Sequence, residues 1–155
     1  MSSALLTALA GIPNLYEPLP GLLTGGQPSA EQLEQFKAAG GTVVLDIRDP
    51  MEARPFAEAD HARALGLEYV NVPISPGATG DERMDRILAT LRVHAGKQLL
   101  FHCGSGNRVG GAMLAYLILD HGQTEDDATQ QAMRIGLRSP EYLHWGLQYA
   151  ERHQR

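Results

Sequence analysis

The sequence predicts an α/β fold with a central, parallel-dominated sheet of about four to five strands flanked by helices. Three observations carry this. Short apolar, β-branched runs (Thr42 to Ile47, Leu67 to Ile74, Gln98 to His102) alternate with stretches of helical periodicity. Glycine and proline turns separate them. The last such run passes through a glycine-rich turn into an uninterrupted apolar helix, Ala112 to Leu119, which belongs in a protein interior. Strand–helix alternation of this kind produces parallel pairing, because each crossover helix returns the chain to the same sheet edge.

The elements follow in chain order. The apolar patch Ala4 to Ala10 has no basic residues ahead of it, so it reads as a short helix capped by Ser2 or Ser3 rather than as a secretory leader. Residues 1–20 form an extension to a single domain, 1–155. Leu22 to Thr24 follows a turn and reads as a short edge strand. Ser29 caps a helix to about Ala39, with Gln32 in the capping-box position and Gly40-Gly41 ending it. TVVLDI is a buried strand, Phe56 to Leu65 a helix closed by Gly66, and Leu67 to Ile74 the next strand. The loop Ser75 to Gly80 precedes a helix from Asp81 to about His94, with Met84, Ile87, Leu88 and Leu91 on one face. Gln98 to His102 is the strand before the glycine turn. Two more helices, Thr124 to Ile135 and Ser139 to His153 with Pro140 at the first helical position, cover one side of the sheet.

Composition narrows the function classes. Of 155 residues, 43% are hydrophobic and 20% charged, as in an ordinary globular chain, so a real core is available. A net charge of -5 argues against nucleic-acid binding, and any anionic substrate has to be held by local groups. The one cysteine, Cys103, excludes an internal disulfide and suits a reducing compartment. No two of the six histidines sit at metal-ligand spacing, so no metal is expected. No apolar run approaches the roughly 18 residues that cross a bilayer. The expectation is a cytoplasmic monomer with no cofactor, no membrane partner and no nucleic-acid partner.

Chemistry concentrates in Leu99 to Gly111 (LLFHCGSGNRVGG), where an apolar run delivers Cys103 into a glycine turn with Arg108 five positions on. A thiolate is the reactive form, and an ordinary thiol titrates near ~8.5, so the site has to favour negative charge. The helix beginning near Arg108 points its positive end at the turn. Gly104 and Gly106 let successive N–H groups face inward as a nest. Arg108 supplies a planar fork for two oxygens of a tetrahedral oxyanion. The bland alternative is a buried structural cysteine, but an arginine in a tight glycine turn still needs an acceptor.

His102-Cys103 to Arg108, then Gly110 and AMLAYLI, resemble the loop of the cysteine-dependent protein tyrosine and dual-specificity phosphatases. Gly25-Gly26-Gln27-Pro28-Ser29, TVVLDIR, Leu65 to Ile74 and AMRIGLRSPEYLHWGLQYAER resemble a bacterial branch of that superfamily. That branch is the phosphatase-like domain related to beta-lactamase hydrolase-like proteins, and the likeness runs from about Leu22 to Arg152. It implies a hydrolase acting on a phosphorylated small molecule or protein, phosphotyrosine included, through a phosphocysteine intermediate. The catalytic residues it implies are Cys103 as nucleophile, Arg108 as oxyanion clamp and Asp81 as general acid. Gly104, Ser105, Gly106, Asn107 and Val109 would bind substrate, with His102 supporting the loop.

Two departures keep alternatives open. Only four residues separate Cys103 from Arg108, one fewer than in these phosphatases, a spacing more familiar from rhodanese-type sulfurtransferases carrying a persulfide. Val109 stands where the superfamily usually has serine or threonine. Asp81 also competes with a plain helix-cap role, and Asp49 is a second candidate acid. The second reading is thus a sulfurtransferase with a persulfide on Cys103. The third is a non-catalytic oxyanion-binding domain.

Overall fold

The computed structural model describes residues 4–154. The Ser2/Ser3 cap expected for the first helix lies outside them. Twelve elements follow in order: α1 (Ala4–Ala8), β1 (Tyr16–Leu19), β2 (Leu22–Gly25), α2 (Ala30–Ala38), β3 (Val43–Asp46), α3 (Glu58–Ala64), β4 (Glu68–Asn71), α4 (Asp81–Val93), β5 (Leu99–His102), α5 (Asn107–His121), α6 (Glu125–Ile135) and α7 (Pro140–His153).

The five strands are ordered β1-β2-β5-β3-β4, and every pairing except the antiparallel β1–β2 is parallel. β5 is therefore the middle strand, and its last residue, His102, sits in register between Gly25 and Asp46. That placement puts the cysteine turn at the carboxyl end of the central strand, where parallel sheets present their sites. One expectation is corrected here. Leu22–Gly25 is an interior strand, and β1 takes the edge. Its Pro18 breaks a strand pattern in sequence, yet an edge strand tolerates a residue with no N–H to donate.

The two faces of β5 part the core. Leu99 and Phe101 join a cluster with Leu45, Ile87, Met84 and the α5 side chains, while Leu100 joins Leu23, Val44, Leu33 and Phe36 under α1 and α2. This is the alternation of a strand buried on both faces. α5 is buried from Val109 to Ile118, as its apolar run demands. It lies against α7 with almost no gap: a Cβ on Gly146 would lie 2.3 Å from the Gly111 carbonyl oxygen, and one on Gly111 would lie 2.7 Å from that of Tyr142. The two glycines thus let the helix backbones touch and draw the start of α7 towards the cysteine turn. The capping box at Ser29 is present in full. The helix expected from Asp81 has Gly80 as its cap, so Asp81 is the first helical residue and makes no cap of its own.

Candidate active site

The turn from Cys103 to Gly106 is built with its carbonyls held outward. The Gly104 oxygen accepts from the Gln27 N–H at 3.1 Å, and the Ser105 oxygen from Asn14 Nδ2 at 2.6 Å. A Cβ on Gly26 would lie 2.5 Å from the Gly104 oxygen, so only glycine allows the β2–α2 turn this close. Gly106 has φ of 100° in the left-handed region and caps α5. Its N–H donates to Cys103 Sγ at 3.2 Å. The N–H groups of Gly104, Ser105, Asn107 and Arg108 make no hydrogen bond among the described residues. With the N-terminus of α5, these unspent donors form an anion nest beside the sulfur. Cys103 itself is fully buried.

Arg108 finds its acceptor on the loop after β3. Nη1 donates to Glu52 Oε2 at 2.6 Å and to the Ile74 carbonyl at 2.9 Å, and Nη2 donates to Glu52 Oε1 at 3.0 Å. Nε makes no hydrogen bond among the described residues. Glu52 also accepts from Arg48 Nε at 3.1 Å and from the Asp49 N–H at 2.8 Å. Burial works to raise the Glu52 carboxyl, but the Arg108 hydrogen bond, the Asp49 N–H and Arg48 outweigh it and hold the group at about 2. Burial likewise opposes the Arg108 charge, and Glu52 and the neighbouring Cys103 restore it.

His102 supports the turn from behind. It is fully buried, with Nε2 2.5 Å from Glu58 Oε2 and Nδ1 3.2 Å from the Cys103 carbonyl. A carboxylate on one side and a carbonyl on the other suit a ring that donates from both nitrogens, which favours the charged form. Burial favours the neutral ring, but Glu58, by charge and hydrogen bond, raises the pKa of His102 above the ordinary value. From Glu58 the chain of contacts runs on: Gln27 Nε2 donates to Glu58 Oε1 at 2.7 Å, and Arg48 Nη1 donates to Gln27 Oε1 at 2.7 Å. Arg48 then meets Glu52 and so Arg108. One continuous network thus joins the two ends of the cysteine turn.

Asp46, Glu58 and His102 bring metal-ligating atoms within 4.8 Å of one another. Their lone pairs are occupied by cations and donors of the protein. Arg54 Nη2 and Tyr69 Oη each donate to Asp46 Oδ2 at 2.6 Å, and Arg54 Nε stands 3.7 Å from Glu58. The cluster is an ion-paired support beneath the turn.

Above the turn lies an open cavity of about 490 Å³ walled by Asp49, Met51, Glu52, Ser105, Arg108 and Tyr142, among others. A larger depression of about 800 Å³ by Arg92, Asp120 and Tyr149 includes none of the turn residues. Of the expected site residues, Ser105, Asn107 and Arg108 reach the 490 Å³ cavity. Val109 does not, being wholly in the core. The Asn107 side chain is spent within the protein, donating to Ser139 Oγ at 2.8 Å and accepting from the Arg138 and Ser139 N–H groups. Asp81 does not line this cavity, whereas Asp49 does. Its carboxylate takes the Arg152 guanidinium at 2.5 Å. An aspartate in the first turn of α4 faces a cation on α7 because those two helices flank the same face of α5.

No protein-family model and no curated protein matches the chain. Solved structures do. A DUF442 protein of Shewanella putrefaciens CN-32, designated a candidate phosphatase, superposes with a TM-score of 0.79 over 97% of this chain and 99% of its own, at 23% identity. The TpbA protein of P. aeruginosa gives a TM-score of 0.66 at 18% identity, covering 91% of this chain and 85% of its own. A human tyrosine phosphatase-like serine/threonine/tyrosine-interacting protein gives 0.72 at 21% identity, covering 90% and 97%. The agreement spans nearly the whole chain. The chain has the fold of these phosphatase-like structures.

Proposed function

We propose that this protein is a cysteine-dependent phosphatase that hydrolyses phosphate monoesters through a phosphocysteine at Cys103. The observation that carries the reading is the nest. Four unspent N–H groups, the start of α5 and the Arg108 guanidinium surround the one cysteine of the chain. Such preorganised donors stabilise charge as it develops on equatorial phosphoryl oxygens. Sγ forms a bond to phosphorus as the ester P–O bond breaks, and the leaving oxygen takes a proton from Asp49, the acid on the cavity wall. Water then attacks the phosphocysteine, releasing inorganic phosphate and the thiolate. Cys103 is fully buried, so the phosphoryl group reaches Sγ only as the Gly104–Gly106 stretch yields. Gly104 and Gly106 give that stretch the backbone freedom to adjust.

A structural neighbour, TpbA, has been crystallised with phosphotyrosine. That complex, and the open cavity above the turn, favour phosphotyrosine and related aryl phosphates as the substrate class. The test is hydrolysis of para-nitrophenyl phosphate. Slow release that orthovanadate inhibits and Cys103→Ser abolishes supports the proposal. The four-residue spacing between Cys103 and Arg108 favours a second reading, transfer of sulfane sulfur through a persulfide. Transfer of sulfur from thiosulfate to cyanide, with no phosphate ester hydrolysis, would replace the first reading with the second.

A further inference from the structure

Resting on the phosphatase reading, we infer that Tyr142, from the C-terminal helix, is a catalytic residue whose hydroxyl donates a hydrogen bond to a non-bridging oxygen of the bound phosphoryl group. Tyr142 lines the cavity together with Arg108 and Ser105, yet it is only 6% exposed. Its ring packs edge-on against Trp145, with centroids 6.2 Å apart. Its hydroxyl makes no hydrogen bond among the described residues. The ring is buried, yet the hydroxyl is not among the sealed-off polar atoms of the protein, so beside a guanidinium and a nucleophile it is free to donate to an acceptor that enters the cavity from outside the chain. A tetrahedral oxyanion is such an acceptor.

The nest is made of backbone donors, and few side chains add to it. Val109 brings no hydroxyl to the turn, the Asn107 side chain is turned away to Ser139, and two nitrogens of Arg108 already serve Glu52. The placement of Tyr142 is itself built. Asn107, within the turn, holds the N–H groups of Arg138 and Ser139 and the Ser139 hydroxyl, which fixes the start of α7 to the cysteine turn. Gly111 then allows Tyr142 to approach α5, since a Cβ there would lie 3.1 Å from Tyr142 Cβ and 2.7 Å from its carbonyl oxygen. Burial raises the phenol above its ordinary pKa; Arg108 opposes this, while Glu141, Cys103 and Glu52 add to it. The oxygen therefore keeps its proton at neutral pH and acts as a donor.

The experiment uses the full chain and Tyr142→Phe, which removes only an oxygen that bonds to nothing in the protein. The variant should melt as the wild type does. Its kcat/KM for para-nitrophenyl phosphate should fall about ten- to a hundredfold, the worth of one hydrogen bond to a charged group. Its orthovanadate affinity, read by calorimetry, should fall by a similar factor. Wild-type values in both measurements would overturn the role of Tyr142 and leave the phosphatase reading intact, provided that the wild type turns over and Cys103→Ser does not. If the wild type fails to hydrolyse the ester, the phosphatase reading falls, and the vanadate titration alone decides whether Tyr142 is an oxyanion ligand. A variant that melts lower than the wild type is compared at a temperature where both are fully folded, and an undiminished vanadate affinity there also overturns the proposal.

Discussion

Replacing Glu58 with glutamine strands the one fully buried histidine of the turn. Glu58 and His102 are 1% and 0% exposed, and their contact is 2.5 Å. Removing one partner of such a pair typically destabilises by about 3–5 kcal/mol, because the remaining charge stays buried without compensation. At the roughly 2–4 °C per kcal/mol expected for a chain of this size, the melting temperature falls by roughly 6–20 °C. The loss should depend on pH in a definite direction. In the wild type the folded pKa of His102 is raised, so its contribution is complete below the unfolded value of about 6.5 and is lost as pH rises through the folded pKa. In Glu58→Gln, burial, the largest influence on the ring, is opposed only by Asp46 and the Cys103 carbonyl and depresses it, so the variant loses stability as pH falls below about 6.5. The gap between the two proteins is therefore widest in mild acid and narrows with rising pH, by up to about 1.4 kcal/mol per pH unit. Urea unfolding at a series of pH values measures it. A gap below about 1 kcal/mol, or one that does not narrow as pH rises, refutes the ion-pair argument.

Gly106→Ala should destabilise strongly, by about 2–4 kcal/mol in denaturant titrations: its φ is 100°, and the new Cβ would meet the Ile135 carbonyl oxygen at 2.3 Å. Glu52→Gln should flatten the acid limb of the stability curve. The depressed Glu52 carboxyl, at about 2, contributes above its ordinary 4.5 and loses that contribution as pH falls towards 2, so thermal melts over this range should separate variant from wild type least at the acid end. Asp49→Asn should slow an alkyl phosphate at least about tenfold more than an aryl phosphate, whose leaving group needs little protonation, and Asp81→Asn should slow neither. Equal effects on the two esters in steady-state assays would remove Asp49 as the acid.

The parts of this molecule that were legible in sequence are those whose causes are local. The Ser29–Gln32 capping box, the apolar α5 and the glycine turn between β5 and α5 each declare themselves within a few residues. That Arg108 needed an acceptor also followed from its setting. The identity of that acceptor did not, because Glu52 lies 56 residues away on another loop. Glu58 reads as an ordinary first-turn glutamate, and only its register against His102, 44 residues on, makes it a buried counter-ion. Gln27 and Tyr142 carry no local sign of a role either; the one is set by a glycine turn packed on Gly104, the other by two glycines that bring α7 onto α5. Asp81 reads as a cap or an acid because its partner, Arg152, is 71 residues distant, in a helix that the sequence marks only by Pro140 at its first position. Where a residue's function depends on which elements become neighbours, the chain alone left several answers open.

Whether the buried sulfur takes up phosphorus is settled by quenching the protein with acid shortly after mixing with para-nitrophenyl phosphate and mapping its peptides by mass spectrometry. A phosphoryl adduct on the Cys103 peptide, absent from Cys103→Ser, is the result expected. Nitrophenol release with that peptide unmodified, or undiminished release from Cys103→Ser, would contradict the account.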